Sequence, residues 1–181
     1  TASLPATVKM NPGPSQSKTV SIRVEGPEGN ILYYPSFEVN GNGSALLTAA
    51  DAFRQAMDSA KQSKNIDYSY SDGFINSISL NGTPYFYNSD GEDSYWSFAY
   101  NNAYANLGMS STVLNNNDDI IVYWTNSWDT VIASLTNTVW DTSSTNLKAI
   151  VKDTSGAIIE GATIKLSTST DFTDSVTAMS D

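Results

Sequence analysis

The 181-residue chain contains no cysteine and no histidine. Without cysteine there is no disulfide framework, no zinc ribbon and no thiol nucleophile. Without histidine the usual general base near neutral pH is missing, and so is the commonest transition-metal ligand. Positive charge is scarce too: 9 Lys and Arg stand against 19 Asp and Glu, a formal net charge of −10. Nucleic-acid binding needs clustered cations to neutralise phosphates, and docking on an anionic membrane needs them as well, so neither is expected. No stretch approaches the roughly 18 uninterrupted apolar residues of a membrane span, so no direct membrane insertion is expected. Residues 1–17 lack the basic start and apolar run of a signal peptide. The chain does not open on Met, and it reads as a segment of a longer protein. Leu4-Pro5-Ala6-Thr7 is followed by Val8 and no apolar tail, so it reads as linker rather than as a wall-sorting signal.

What remains is rich in strand patterns. Hydrophobic residues make up 40% of the chain, enough for a core. Residues 1–18, with Pro5, Pro12, Gly13 and Pro14, read as a linker. From Thr19, Val20, Ile22 and Val24 alternate with Ser21, Arg23 and Glu25, the period of a half-buried strand. Gly26 to Asn30 is a turn, and Ile31–Tyr34 with Phe37–Val39 form the partner strand. Ser44 is a candidate N-cap for a helix over 45–62, in which Leu46, Leu47, Ala50, Phe53, Met57 and Ala60 make one apolar stripe. Period two returns at Ile66, Tyr68 and Tyr70, then at Phe74–Leu80 and Tyr95–Tyr100. Residues 81–94 read as loop. Asp119–Thr125 is apolar on both faces, as a central strand is. The order predicts an α+β fold, a mostly antiparallel sheet around one helix.

After Trp128 the texture turns to Ser, Thr and Asn. Residues 127–146 read as a linker or connecting strand. Leu147–Lys152 and Ala162–Leu166 read as strands, with a turn over Asp153–Gly156. Residues 147–181 are too few to close a β-sandwich, which leaves an open edge able to pair between chains.

Two stretches resemble known families. Tyr95-Trp96-Ser97-Phe98 with Asn101-Asn102, then Gly108-Met109, then Asp118-Asp119-Ile120-Ile121-Val122-Tyr123-Trp124 is similar to the pattern of the C-terminal domain of transcobalamin and intrinsic factor. A large bacterial family of unknown function shares that domain. The resemblance covers residues 19–126 and departs at Asn117, where Gly is usual; Asn tolerates the same left-handed turn. It implies a β-grasp-like fold used to bind soluble ligands. In the vitamin carriers cobalamin is held with a separate helical barrel, so cobalamin is not expected here without such a partner domain. The second stretch, Leu147-Lys148-Ala149-Ile150-Val151 through Gly161-Ala162-Thr163-Ile164-Lys165-Leu166, resembles the start of carboxypeptidase-regulatory-like or adhesin B-type sandwiches, which are immunoglobulin-like. That pairing implies an extracellular or bacterial cell-surface, multidomain setting.

Between Lys64 and Lys148 there is no Lys or Arg, while Asp67, Asp72, Asp90, Glu92, Asp93, Asp118, Asp119, Asp129 and Asp141 fall inside. Unpaired carboxylates repel unless solvated or bound to a cation. Asn88, Asp90, Glu92 and Asp93 around Gly91 are therefore a candidate Ca²⁺ cluster, although a solvated acidic surface explains the same residues and the spacing is no EF-hand. Aromatic residues crowd 68–104. Tyr85, Tyr87, Tyr100 and Tyr104, with Trp96, Asn101 and Asn102, are the candidate ligand contacts, since Tyr and Trp join a flat apolar face to a hydrogen-bonding edge. The plainer reading packs Trp96 and Phe98 in the core. Adjacent carboxylates at Asp118-Asp119 face opposite ways in a strand and cannot serve one substrate together. With no nucleophile–base set, no enzyme is expected. The expected role is a binding module for a soluble small molecule, a glycan or another surface protein; the alternative is a structural spacer or adhesin module.

Overall fold

The computed structural model describes residues 16–41, 46–61, 63–126, 134–140, 147–152, 157–166 and 176–179. Most of the 1–18 linker, Ser44, the turn over 153–156 and most of the 127–146 connection lie outside the described residues.

The opening alternation becomes β1 (Gln16–Gly26), beginning three residues before Thr19. It pairs antiparallel with β2 (Gly29–Gly41). The helix α1 spans Ala49–Lys61, and β3 (Ile66–Ser71), β4 (Phe74–Leu80) and β5 (Thr83–Phe86) follow as a three-stranded meander. Then come β6 (Tyr95–Tyr100), the two-residue β7 (Ala103–Tyr104), a 3-10 turn at Met109–Ser111 and β8 (Asp119–Thr125). The main sheet runs β2-β1-β8-β6-β7. Every pairing is antiparallel except that of β1 with β8, from Ser21 opposite Asp119 to Glu25 opposite Tyr123. The α+β expectation therefore holds: one helix among the described residues, and strands in mostly antiparallel sheets. Two further hairpin pairs, β9 (Ser134–Trp140) with β10 (Leu147–Lys152) and β11 (Thr163–Leu166) with β12 (Val176–Met179), follow.

The helix begins later than its apolar stripe suggested. Leu47 accepts the backbone N–H of Leu114, and Thr48 bridges Val113, so residues 47–48 are held extended by a distant segment. Thr48 caps the helix. Its N–H and hydroxyl both donate to the Asp51 carboxylate, at 2.9 and 2.8 Å, a variant of the capping box. Leu46 consequently leaves the stripe and is exposed, while Leu47 stays buried just before the first turn. The rest of the stripe holds: Ala50, Phe53, Met57 and Ala60 are buried, joined by Ala49, Ala52 and Ala56. They meet Val20, Ile22 and Val24 of β1, Leu32 and Val39 of β2, and Ile120 and Val122 of β8. β8 is buried on both faces, as a central strand between β1 and β6 must be.

Residues 81–94, read as loop, contain β5. Asn81-Gly82 does not end the pairing; it turns it. Both residues have positive φ (52° and 85°), and Leu80 pairs with Thr83 across them, the geometry of a two-residue type I′ hairpin. Asp72-Gly73 and Asn101-Asn102 make the same two-residue turn, with positive φ at both positions, between β3 and β4 and between β6 and β7. No helix among the described residues is long and apolar enough to cross a membrane.

Phe53 is 0% exposed and meets the Tyr68 ring edge-on at 5.4 Å. Phe53→Ala is expected to cost about 3–5 kcal/mol through the cavity it leaves, measured by urea denaturation. A loss below about 1 kcal/mol would show that α1 does not anchor the core.

Candidate functional site

The short β7 covers only the end of β6, leaving an indentation beside its first residues. Here the β3–β4 turn, the end of β5, β6 and the 104–109 loop enclose a cleft of about 800 Å³. Its walls are Phe74, Ile75, Phe86, Tyr87, Tyr95, Trp96, Phe98, Tyr104, Leu107 and Met109, with Asn76, Ser97 and Asn106 as side-chain amides and hydroxyl. No carboxylate and no cation line it. Phe74 is 72% exposed, Tyr87 66% and Leu107 60%, so large apolar surfaces stay in contact with water on its rim.

The structure brings three of the sequence-derived contacts together: Tyr87, Trp96 and Tyr104. Trp96 has a double role. Its indole N–H donates to the Tyr85 carbonyl at 2.9 Å, and its ring packs edge-on against Trp124 at 5.2 Å, yet it also faces the cleft. Phe98 likewise packs against the core and lines the cleft. Tyr85 is placed elsewhere. It leans on Trp124 and borders a separate hollow of about 140 Å³ beside the β1–β2 turn.

Tyr100, Asn101 and Asn102 belong to a structural knot rather than to the cleft. The single Tyr100 hydroxyl proton lies within reach of two acceptors, the Asp118 carboxylate and the Val113 carbonyl. The Asn101 amide also donates to Asp118, its oxygen accepts the Asp119 N–H, and the Asn115 N–H completes the Asp118 shell at 2.6 Å. Asp118 is 6% exposed. Burial works to raise its pKa, but the Tyr100, Asn101 and Asn115 donors outweigh it, so the carboxyl lies below its ordinary value. Tyr100 answers in the other sense: burial and the Asp118 carboxylate push its hydroxyl up to about 12. Asp119 turns the other way and accepts the Ser21 hydroxyl at 2.5 Å, which fixes the β1–β8 register. The adjacent carboxylates thus serve different partners.

The acidic loop closes on itself. Asn88 Oδ1 accepts the Asp93 N–H, and Asp90 accepts the Glu92 N–H, the Ser94 hydroxyl and the Trp124 indole N–H. Glu92 reaches out to the Asn126 amide at 3.1 Å. The Ser94 hydroxyl, with the other donors, holds the Asp90 carboxyl below its ordinary range. Of the four candidate Ca²⁺ ligands, Asn88 and Asp90 turn oxygens to donors of the loop and of Trp124, Glu92 turns to Asn126, and Asp93 takes part through its backbone N–H. Among the described residues no group of three or more Asp or Glu could hold a metal ion.

Sequence reading missed Phe74, Ile75, Asn76, Phe86, Tyr95 and Leu107. The Asp72-Gly73 and Asn81-Gly82 pairs were the available signals, because two tight hairpins fold β4 and β5 into a wall and bring Phe74 and Phe86 to β6.

Residues 50–126 match the model of a family described as a domain of unknown function (DUF4430). No curated protein matches the chain. Among solved structures, a protein of Ruminococcus gnavus ATCC 29149 provisionally described as metal-binding aligns at 11% identity with a TM-score of 0.38, over 61% of this chain and 99% of its own.

Because Asp118 is ionised in its knot and its pKa is depressed, the stability it contributes is full above the ordinary aspartate pKa and fades as pH falls through the depressed value. Asp118→Ala leaves the Asn115 N–H and the Asn101 side-chain amide without their acceptor, while the Tyr100 hydroxyl keeps the Val113 carbonyl, a cost of about 1–3 kcal/mol at pH 6–7. Urea denaturation should show that difference narrowing as pH drops below 3.8. A difference that grows on acidification would contradict the assignment.

Proposed function

We propose that this chain is a non-catalytic binding module of an extracellular or cell-surface protein, and that the cleft beside β6 holds its ligand, a soluble small molecule, a glycan or a segment of another surface protein. The observation that carries the reading is the gathering of exposed apolar side chains. Phe74, Phe86, Tyr87, Tyr104 and Leu107 are among the few large hydrophobic residues left open to water, and all five border one cleft. Scattered exposed hydrophobics need no explanation; a concentrated set around a concavity marks a binding surface. Tyr87 and Tyr104 offer ring faces for stacking, and Asn76 and Asn106 offer amide edges to fix orientation.

The non-catalytic part rests on the lining. Tyrosine is the only ionisable residue type in it, and no carboxylate, lysine or arginine stands ready for proton or nucleophile chemistry. The strand order β2-β1-β8-β6, its central parallel pair and the helix packed on one face support a β-grasp-like architecture. The transcobalamin-like pattern falls on β6 and β8 and lies within the family match over residues 50–126. The two hairpin pairs after residue 134 are compatible with the opening of an immunoglobulin-like sandwich.

The test is a screen of the 181-residue chain against soluble glycans and small molecules, followed by Tyr87→Ala and Leu107→Ala. Both positions are surface-exposed, so each change should alter folding stability by about 0.5 kcal/mol or less. Each should weaken a ligand held in the cleft about three- to tenfold, in keeping with the loss of one stacking or apolar contact. Ligand binding untouched by both variants would place the site elsewhere. A complete absence of ligands would favour the spacer or adhesin alternative.

A further inference from the structure

The ligand class of this cleft can be read from the edge of β6, and the inference rests on the cleft being a binding site. β6 pairs with β8 from Tyr95 to Tyr100, but with β7 only at Ala99 and Tyr100. The phase of the ladder follows from the Asn101 N–H, which donates to the Asp119 carbonyl on the β8 side. Alternate residues then address β8: Ala99, Ser97 and Tyr95. The backbone groups of Trp96 and Phe98 address the opposite side. There the Phe98 carbonyl accepts the Ala105 N–H, and the Ser94 carbonyl accepts the Asn88 N–H. Between those two closures, no strand among the described residues pairs with β6. The gap runs from Ser94 to Phe98, roughly 13 Å at about 3.3 Å per residue, and it opens into the cleft.

A strand edge left unpaired is a template for an extended chain. Side chains of such a chain would alternate between the two faces, and Phe74, Phe86, Tyr87 and Leu107 stand exposed on the walls to receive the apolar ones. Charge narrows the partner further. Asp72 sits in the turn beside Phe74, and Glu92 and Asp93 sit in the turn before β6. All three are exposed, and no Lys or Arg lines the cleft. That field favours a basic partner and opposes an acidic one. A sugar could stack on Tyr87 or Tyr104, but it carries no row of alternating amide donors and carbonyl acceptors to match Trp96.

We propose that the ligand is a short extended peptide bearing Lys or Arg, which adds a strand beside Tyr95–Phe98 and hydrogen-bonds the backbone of Trp96.

The experiment uses the full 181-residue chain and a library of acetylated, amidated hexapeptides alternating apolar with basic residues, read by backbone amide NMR. The tightest binder is then remade with N-methyl groups placed singly at each amide. The expected result is a shift of the Trp96 and Phe98 amides. Methylation at the one peptide amide that donates to the Trp96 carbonyl should weaken binding about fivefold or more, since a lost hydrogen bond is worth about 1 kcal/mol. Methylation at the remaining amides should have little effect. Uniform tolerance of methylation overturns strand addition while leaving the cleft as the binding site. The same holds if no peptide binds but neutral trisaccharides do, with shifts at Tyr87 and Tyr104. If neither peptides nor trisaccharides perturb the cleft, the peptide proposal fails, and if the wider screen also finds no cleft ligand, so does the reading of the cleft as a binding site.

Discussion

The architecture depends on one packing arrangement, the apolar stripe of α1 laid across β1, β2 and β8. Phe53, Met57 and the alanines of the helix bury against Val20, Ile22, Val24, Ile120 and Val122. Complete burial of Phe53 or Met57 contributes about 2–3 kcal/mol each, more than any surface ion pair in the molecule can. Small alanines at 49, 50, 52, 56 and 60 let the helix lie close to the strands. This seat is what makes β8 a central strand, and β8 is what holds β6 in place with its far side open.

Polar groups fix details that the apolar core leaves free. Asp119 takes the Ser21 hydroxyl and so sets the parallel register of β1 and β8. Asp118 gathers Tyr100, Asn101 and the Asn115 N–H into a buried knot at the other end of β6. The β6–β7 turn is thereby pinned, and β7 stops after two residues. The opening beside Trp96 is a consequence: the chain leaves β6 at Tyr104 rather than continuing along it, and the 104–109 loop becomes a wall of the cleft instead. The acidic loop makes a similar contribution below, where Asn88 and Asp90 tie the turn before β6 to Ser94 and Trp124.

Much of the fold was legible because burial imposes period two or period 3.6 directly. Phe74–Leu80, Tyr95–Tyr100 and Asp119–Thr125 emerge with the boundaries their patterns suggest. The start of α1 was not legible, since Leu46 and Leu47 fit the helical stripe and only a contact with residues 113–114 keeps them out of it. Tyr87, Trp96 and Tyr104 could be picked out by residue type, and the structure does place them together. Type alone could not separate them from Tyr100, whose hydroxyl is committed to Asp118, or from Tyr85, which leans the other way on Trp124. Phe74 and Phe86 were hidden for a different reason. Their role comes from two tight turns that fold the meander back on β6, and such turns are written in Asp-Gly and Asn-Gly pairs rather than in the hydrophobic pattern.

The open side of β6 is the physical claim on which the functional reading stands, and amide hydrogen exchange of the free chain tests it most directly. Ser97 and Ala99, whose N–H groups face β8, should exchange slowly, while Trp96 should exchange far faster because no strand among the described residues covers it. Equal, slow exchange at Trp96, Ser97 and Ala99 would mean that the edge is already paired, and the cleft would then have no strand position to offer.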